Sequence, residues 1–124
     1  FGVLKDVPKT LVYELARYRN TISKVIPERI IDRPPSAELA PDQKDSDSLP
    51  DYDTLDKIIE LYVEQDKSKK EIEESGIESS ILNRVIRLID FSEYKRRQAP
   101  LGVKITSRGF GKDRRYPITN KFLK

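Results

Sequence analysis

Residues 35–39, PSAEL, place the Ser36 hydroxyl and the Glu38 carboxylate beside an apolar anchor. The chain has no histidine and no cysteine. Imidazole acid–base chemistry, a catalytic thiol and metal sites built on His or Cys are therefore excluded. The chemistry that remains available is that of hydroxyls, carboxylates and cations, so the elements around these groups decide what they can do.

The pentapeptide lies in a long loop, residues 33–55, with four prolines, five aspartates and no glycine. Each proline lacks a backbone N–H and restricts the residue before it, so a regular helix is excluded. A central β-strand is excluded for the same reason. The sequence thus predicts a long, acidic, proline-bracketed loop.

Charge is distributed unevenly along the 124 residues. Lys and Arg total 24 against 21 Asp and Glu, a net charge of only +3. Residues 94–124 nevertheless hold ten Lys and Arg, with Asp113 as their one acid. We expect an acidic middle and a basic end that could meet an anion.

Hydrophobic residues make up 36% of the chain, a thin core for this length, so partners are expected to cover some apolar surface. No apolar run long enough for a membrane span and no signal-peptide pattern is present. The chain also contains no Met, which indicates either a trimmed leader or the C-terminal part of a longer protein.

Apolar spacing predicts a mainly α fold. One helix begins near Asp6, a candidate cap, with Pro8 in its first turn, and ends near 19–20. A second begins at Tyr52 with Asp51 as cap, and its apolar residues run at helical spacing through Val63. A short helix follows from the capping box at 68–71 to Gly76, and a further helix starts at 78 or 79.

Residues 68–89 alone suggest a different function. A short helix, a glycine turn and a second helix, followed by a basic tail, are typical of a helix-turn-helix DNA-binding module. The exposed face would offer only Ser80, Asn83, Arg84 and Arg87. Nearby glutamates would repel the DNA backbone, so this remains the alternative hypothesis.

Four segments occur together in one order: LKDVPKTLVYELARY (4–18), IPERIIDRPPSAELAPDQKDSDSLPDYDTLD (26–56), RLIDFSEYKRRQAPLGVKIT (87–106) and DRRYPITNKF (113–122). In this combination they resemble the C-terminal half of bacterial NAD synthetases, most closely the long, glutamine-dependent form. The resemblance covers almost the whole chain.

That resemblance implies part of a cytoplasmic enzyme that converts nicotinic acid adenine dinucleotide to NAD. ATP, with Mg²⁺, adenylates the nicotinate carboxylate, and ammonia, free or derived from glutamine, then displaces AMP. It also implies a Rossmann-like α/β parent domain of the ATP-pyrophosphatase type and a homodimer, with no nucleic acid or membrane partner. The family's Ser-Gly-Gly-x-Asp-Ser loop is absent from this sequence, so no catalytic residue is assigned and the isolated chain is expected to be inactive.

The resemblance divides the chain, residues 1–124, into four parts of the synthetase domain: a helix and connector (1–32), a mobile phosphate and substrate loop (33–50), helices (51–98) and a basic tail (99–124). It matches Lys5 to a lysine that approaches the ATP phosphates, and PSAEL to a second phosphate loop. Ser36 would bind phosphate, while Glu38 and Asp45 would position substrate or help the loop close over the site and exclude water.

The resemblance places Tyr94, Lys95 and Arg96 near the deamido-NAD. The tyrosine ring would stack on the nicotinate or pack beside it, and the two cations would neutralise its pyrophosphate or carboxylate. In the tail, Arg114, Arg115, Tyr116 and Asn120 match a motif for which interface packing is expected. The apolar faces of residues 55–63 and 81–89 are the candidate dimer contacts.

Overall fold

The computed structural model describes residues 1–33 and 49–119, and the regular elements within these ranges are helices. Six α-helices follow in order: α1 Lys9–Ile22, α2 Glu28–Asp32, α3 Tyr52–Ile59, α4 Lys69–Glu74, α5 Ser79–Phe91 and α6 Glu93–Gln98. A π-helical segment, Glu60–Glu64, continues α3. The one β interaction described is an isolated parallel bridge between Gly2 and Gly102. The predicted α class is confirmed for the described part of the chain.

The start of α1 differs from the prediction. Pro8 is the N-cap residue and no side chain caps the helix. Asp6 instead turns towards residues 105–106, where its Oδ2 accepts hydrogen bonds from the backbone N–H of Ile105 at 2.9 Å and of Thr106 at 2.9 Å. The prediction of Asp6 as a cap was therefore wrong, because the tail competes for the same carboxylate.

Three other helix boundaries follow the sequence signals closely. Asp51 Oδ1 accepts from the Thr54 N–H at 2.8 Å, which confirms it as the cap of α3. Ser68 and Glu71 form a complete capping box at the start of α4. Gly76 has a φ of 93°, the left-handed conformation that ends a helix at low steric cost.

The core forms where α3, the π-helical segment, α4 and α5 meet. Its buried members are Ile58, Leu61, Tyr62, Val63, Ile72, Ile77, Leu82, Val85, Ile86 and Ile89. The two faces predicted as dimer contacts are thus largely occupied inside the chain, and that prediction was wrong because these side chains pack on one another. The remaining exposed apolar residues of α5 include Leu88 and Phe91.

α1 lies at the edge of this core and has no buried residue. Its attachment to α3 is polar: Asp56 Oδ2 accepts from the Thr10 N–H at 3.0 Å and from Thr10 Oγ1 at 2.8 Å. Leu15, Tyr18 and Ile22 stay exposed. The expected excess of apolar surface therefore lies partly on α1 and the connector after it, and partly on the N-terminal segment and residues 101–105.

Candidate functional site

Lys5, the predicted phosphate ligand, is half-buried between the N-terminal segment and the tail. Its ammonium donates a 2.6 Å hydrogen bond to the carbonyl oxygen of Pro100. A lysine ammonium carries three donors, so two remain for another acceptor. No described carboxylate forms an ion pair with it, which leaves its positive charge available to an anion.

The surroundings of Lys5 open into a groove of about 630 Å³. The groove runs between the start of α1, the exposed side of α3 and residues 106–110, and its lining includes Lys5, Lys9, Asp56 and Arg108. Its volume falls in the range of small-molecule sites, which span roughly 300–1,000 Å³. The sequence did not predict this groove, because it is formed by segments about a hundred residues apart.

α6 carries the other predicted site residues. Tyr94 is 48% exposed, and the Lys95 ammonium lies 5.9 Å from the centre of that ring. Both side chains are accessible from solvent and could contact a ligand. No hydrogen bond or ion pair joins them to Lys5 within the described residues.

Arg96, by contrast, is only 7% exposed. Its Nη2 donates to Glu93 Oε2 at 2.9 Å, and its guanidinium lies 4.9 Å from the centre of the Phe110 ring and 5.6 Å from that of Tyr116. Its Nε and Nη1 are buried without a hydrogen-bond partner. The predicted contact of Arg96 with substrate stays a prediction, and in this structure the side chain holds the tail against α6.

Glu93 is the carboxylate at the centre of this cluster and is 1% exposed. Arg97 Nε donates to its Oε1 at 3.1 Å, and Arg115 lies 3.5 Å from the same oxygen. Burial alone would raise the pKa of the Glu93 carboxyl, but hydrogen bonds from Arg96, from Arg97 and from the backbone of Tyr116 outweigh it, so the pKa lies below its usual range. Sequence reasoning missed Glu93; the signal was an acid three and four residues before two arginines.

The tail folds back on the core, so its basic charge is partly neutralised within the chain. Arg114 pairs with Asp66, and its guanidinium lies 5.0 Å from the Tyr62 ring centre and 5.1 Å from that of Tyr116. The two tyrosine rings stack with centroids 6.0 Å apart. Arg114 and Tyr116 of the tail motif thus pack inside the chain, whereas contact with another subunit was expected.

Several predicted positions lie outside the described residues. Ser36, Glu38 and Asp45 fall in residues 34–48, and Asn120 falls in residues 120–124. In residues 1–33 and 49–119, no cluster of three acidic side chains is arranged to hold a metal ion. No helix in the described ranges is both long and apolar enough to cross a lipid bilayer.

A family model described as NAD synthase matches residues 1–99. The glutamine-dependent NAD(+) synthetase of Acinetobacter baylyi is 59% identical over 122 residues, which covers 97% of this chain and 23% of that protein. The corresponding protein of Aquifex aeolicus is 56% identical over 124 residues, which covers 100% of this chain and 22% of that protein.

Among solved structures, the glutamine-dependent NAD+ synthetase of Acinetobacter baumannii, in complex with ADP, matches with a TM-score of 0.56 and 48% identity. The match covers 97% of this chain and 20% of that one. The chain therefore spans about a quarter or less of the length of these relatives. None of these relatives is described as a DNA-binding protein. Since the family match covers most of the sequence, the chain belongs to the NAD synthase family.

Proposed function

We propose that this chain is the C-terminal part of the synthetase domain of a glutamine-dependent NAD synthetase. The observation that supports this most is the 59% identity to such an enzyme across 97% of the chain. The parent domain would have the Rossmann-like α/β architecture of ATP pyrophosphatases. The helical unit described above would pack at its edge, with the exposed apolar face of α1 against the remainder.

The reaction would proceed in two steps. The nicotinate carboxylate of nicotinic acid adenine dinucleotide attacks the α-phosphorus of Mg²⁺-bound ATP, the α–β bridging bond breaks, and pyrophosphate leaves. Ammonia then attacks the acyl carbon of the adenylate, AMP leaves, and the amide of NAD is formed. In the first step negative charge develops on the leaving pyrophosphate, and in the second it develops on the phosphate of the leaving AMP. Fixed cations are therefore the contribution expected of this part of the enzyme.

Lys5 is our candidate for the ATP phosphates. Its ammonium is held by one carbonyl, keeps two donors, and has no described carboxylate partner. Ser36, Glu38 and Asp45 would belong to the loop that binds phosphate and excludes water from the adenylate. Tyr94 and Lys95 would contact the deamido-NAD, since both are exposed on α6. The relative from Acinetobacter baumannii binds ADP, which agrees with a nucleotide site in the complete protein.

The test uses the complete protein that carries this chain, with deamido-NAD, Mg-ATP and either glutamine or ammonia. We expect NAD, AMP and pyrophosphate in equal amounts. Lys5→Ala should lower kcat/KM for ATP by about a hundredfold, because a cation that meets transferring phosphates is worth roughly 3 kcal/mol. Lys70→Ala, an exposed lysine on α4, is the matched control. Equal kinetics for the two variants would remove Lys5 from the site, whereas absence of NAD formation by the unmodified protein would refute the function itself.

A further inference from the structure

Residues 100–113, here called the strap, lie against the N-terminal segment. The Gly2 N–H donates to the Leu101 carbonyl at 2.7 Å, and Gly2 bridges to Gly102. Asp6 accepts three hydrogen bonds from Ile105 and Thr106, including 2.7 Å from Thr106 Oγ1. The family model matches residues 1–99 and does not extend over the strap.

Two strap glycines lie so close to the side chain of Lys5 that a Cβ at either position would press on it. A Cβ on Gly111 would lie 2.7 Å from Lys5 Cε and 3.2 Å from its Nζ. A Cβ on Gly102 would lie 2.8 Å from Lys5 Cβ. Neither glycine has the positive φ that would itself require glycine. The close approach of the strap to Lys5 is therefore the reason that the structure gives for glycine at position 111.

We propose that the strap positions the ammonium of Lys5, and that Gly111 is the positioning residue. This proposal rests on the proposed role of Lys5 at the ATP phosphates. A lysine ammonium sits on a flexible four-carbon stem, so holding it in one place before substrate binds saves conformational entropy. Pro100 holds the ammonium from one side through its carbonyl, and Gly111 sets how far the end of the side chain extends.

Gly111 is the better position to test than Gly102. A Cβ on Gly102 would also lie 2.5 Å from the backbone oxygen of Gly2, so alanine there would disturb the bridge between strap and N-terminal segment. At Gly111, Cε and Nζ of Lys5 are the only described atoms within 4 Å of the added Cβ, its chain neighbours aside. The flexible end of one side chain can move aside at little cost to folding. Gly111→Ala should therefore displace the ammonium and leave the fold intact.

The strap supplies its own matched control. A Cβ on Gly109 would meet nothing nearer than 3.4 Å, an ordinary van der Waals distance, and none of its three nearest atoms belongs to Lys5. Gly109→Ala thus makes the same chemical change two residues away without contacting the lysine. Both variants should melt within about 2 °C of the unmodified protein, because neither adds backbone strain.

The experiment measures kcat and KM for ATP in the complete protein, for Gly111→Ala, Gly109→Ala, Lys5→Ala and the double variant Lys5→Ala/Gly111→Ala. We expect Gly111→Ala to lower kcat/KM for ATP about tenfold, because a misplacement of about 1 Å can cost up to a hundredfold. Gly109→Ala should change it less than twofold. In the double variant the effect of Gly111→Ala should disappear, since the group that it displaces is already gone.

Each outcome decides the proposal. Independent, multiplicative effects of the two substitutions would overturn the positioning role and leave the role of Lys5 standing. Normal ATP kinetics for Lys5→Ala would refute the role of Lys5 and the positioning proposal with it, although NAD synthesis itself would stand. Equal losses for Gly111→Ala and Gly109→Ala would show that the strap matters only as structure. A loss confined to Gly111→Ala and absent without Lys5 would support the proposal.

Discussion

At the scale of single residues, the tail is attached to the core through buried or half-buried carboxylates. The Glu93 carboxylate forms ion pairs with Arg96, Arg97 and Arg115. The Asp6 carboxylate accepts three hydrogen bonds from the strap. Burial raises the pKa of Asp6, but the hydrogen bonds from Thr106, Ile105 and Phe110 outweigh burial and hold the pKa below its ordinary value of 3.8. Ionisation of these two carboxylates therefore strengthens the attachment of the tail. The stability of the fold should therefore decrease at acid pH.

A carboxyl whose pKa is lower in the folded chain stabilises the fold fully above its unfolded pKa, and this contribution is lost as pH falls through the folded value. For Glu93 the ordinary value is 4.5, so the loss should begin below about pH 4.5 and continue into stronger acid. We expect the free energy of unfolding, measured by urea titration, to be flat from pH 7 to 5 and to fall below about pH 4.5. The Asp6 carboxyl adds to the same fall at lower pH.

Glu93→Gln separates this effect from general acid unfolding. It should lower the free energy of unfolding by roughly 1–3 kcal/mol at pH 6, because the buried Arg96 loses a charged acceptor. It should also make the fall below pH 4.5 shallower, since one titrating group is gone. Glu74→Gln, an exposed acid on α4, serves as control. If the free energy of unfolding had the same pH dependence in Glu93→Gln and in the unmodified chain, Glu93 would not be the group whose titration destabilises the fold.

The chemistry of residues was predictable where it is local in sequence. Spacing alone identified Asp51, Ser68 with Glu71, and Gly76. Each of these residues starts or ends a helix through backbone or side-chain groups no more than four positions away. The prediction of Asp6 as a helix cap was wrong, and the contacts of Glu93 and Arg96 inside the chain were not predicted. Their partners include residues 105–106, Phe110 and Tyr116, and nothing in a local pattern shows which distant segment will supply a donor or a ring. Whether Lys5, Tyr94 and Lys95 bind ligands stays a prediction.

At the scale of elements, the helix predicted from the most regular apolar pattern is the one that departs most from α-helical geometry. The pattern predicted an α-helix through Val63, whereas the structure has α3 to Ile59 and then a π-helical segment, Glu60–Glu64. The π-helical segment contains a 2.9 Å hydrogen bond from the Gln65 N–H to the carbonyl of Glu60, five residues earlier. Leu61, Tyr62 and Val63 are buried in succession. The wider turn presents more consecutive residues to the core than an α-helical stripe allows.

α4 is a helix of only six residues, so its capping box should matter greatly. Isolated helices of this length are unstable, and each satisfied terminal N–H counts. We expect Ser68→Ala to lower the free energy of unfolding by about 1 kcal/mol. Ser80→Ala, at an exposed serine in the first turn of α5 that caps nothing, should change it by less than about 0.5 kcal/mol. Equal effects of the two substitutions in urea titration would show that the box does not stabilise α4.

At the scale of the whole molecule, the described residues form one small core with apolar surface left over. α1 has no buried residue, while Leu15, Tyr18, Ile22, Val25 and Ile30 are exposed. The chain also spans only 22–23% of the two relatives from Acinetobacter baylyi and Aquifex aeolicus. Composition predicted this shortage of core, and helical periodicity predicted the α class. Neither could show that the tail would fold back and add Phe110 and Tyr116 to the core.

The same incompleteness predicts what the chain does by itself. Its sequence lacks the Ser-Gly-Gly-x-Asp-Ser loop of the family, so we expect that loop's contacts with the leaving pyrophosphate to be missing. Purified chain, mixed with deamido-NAD, ammonia and Mg-ATP, should therefore yield no AMP and no NAD above the rate without protein. The complete protein, assayed at equal molar concentration, is the control. Appearance of both products with the chain alone, lost again in Lys5→Ala, would show that these 124 residues contain a functional adenylation site. The proposal that this chain is only one part of the synthetase active site would then have to be abandoned.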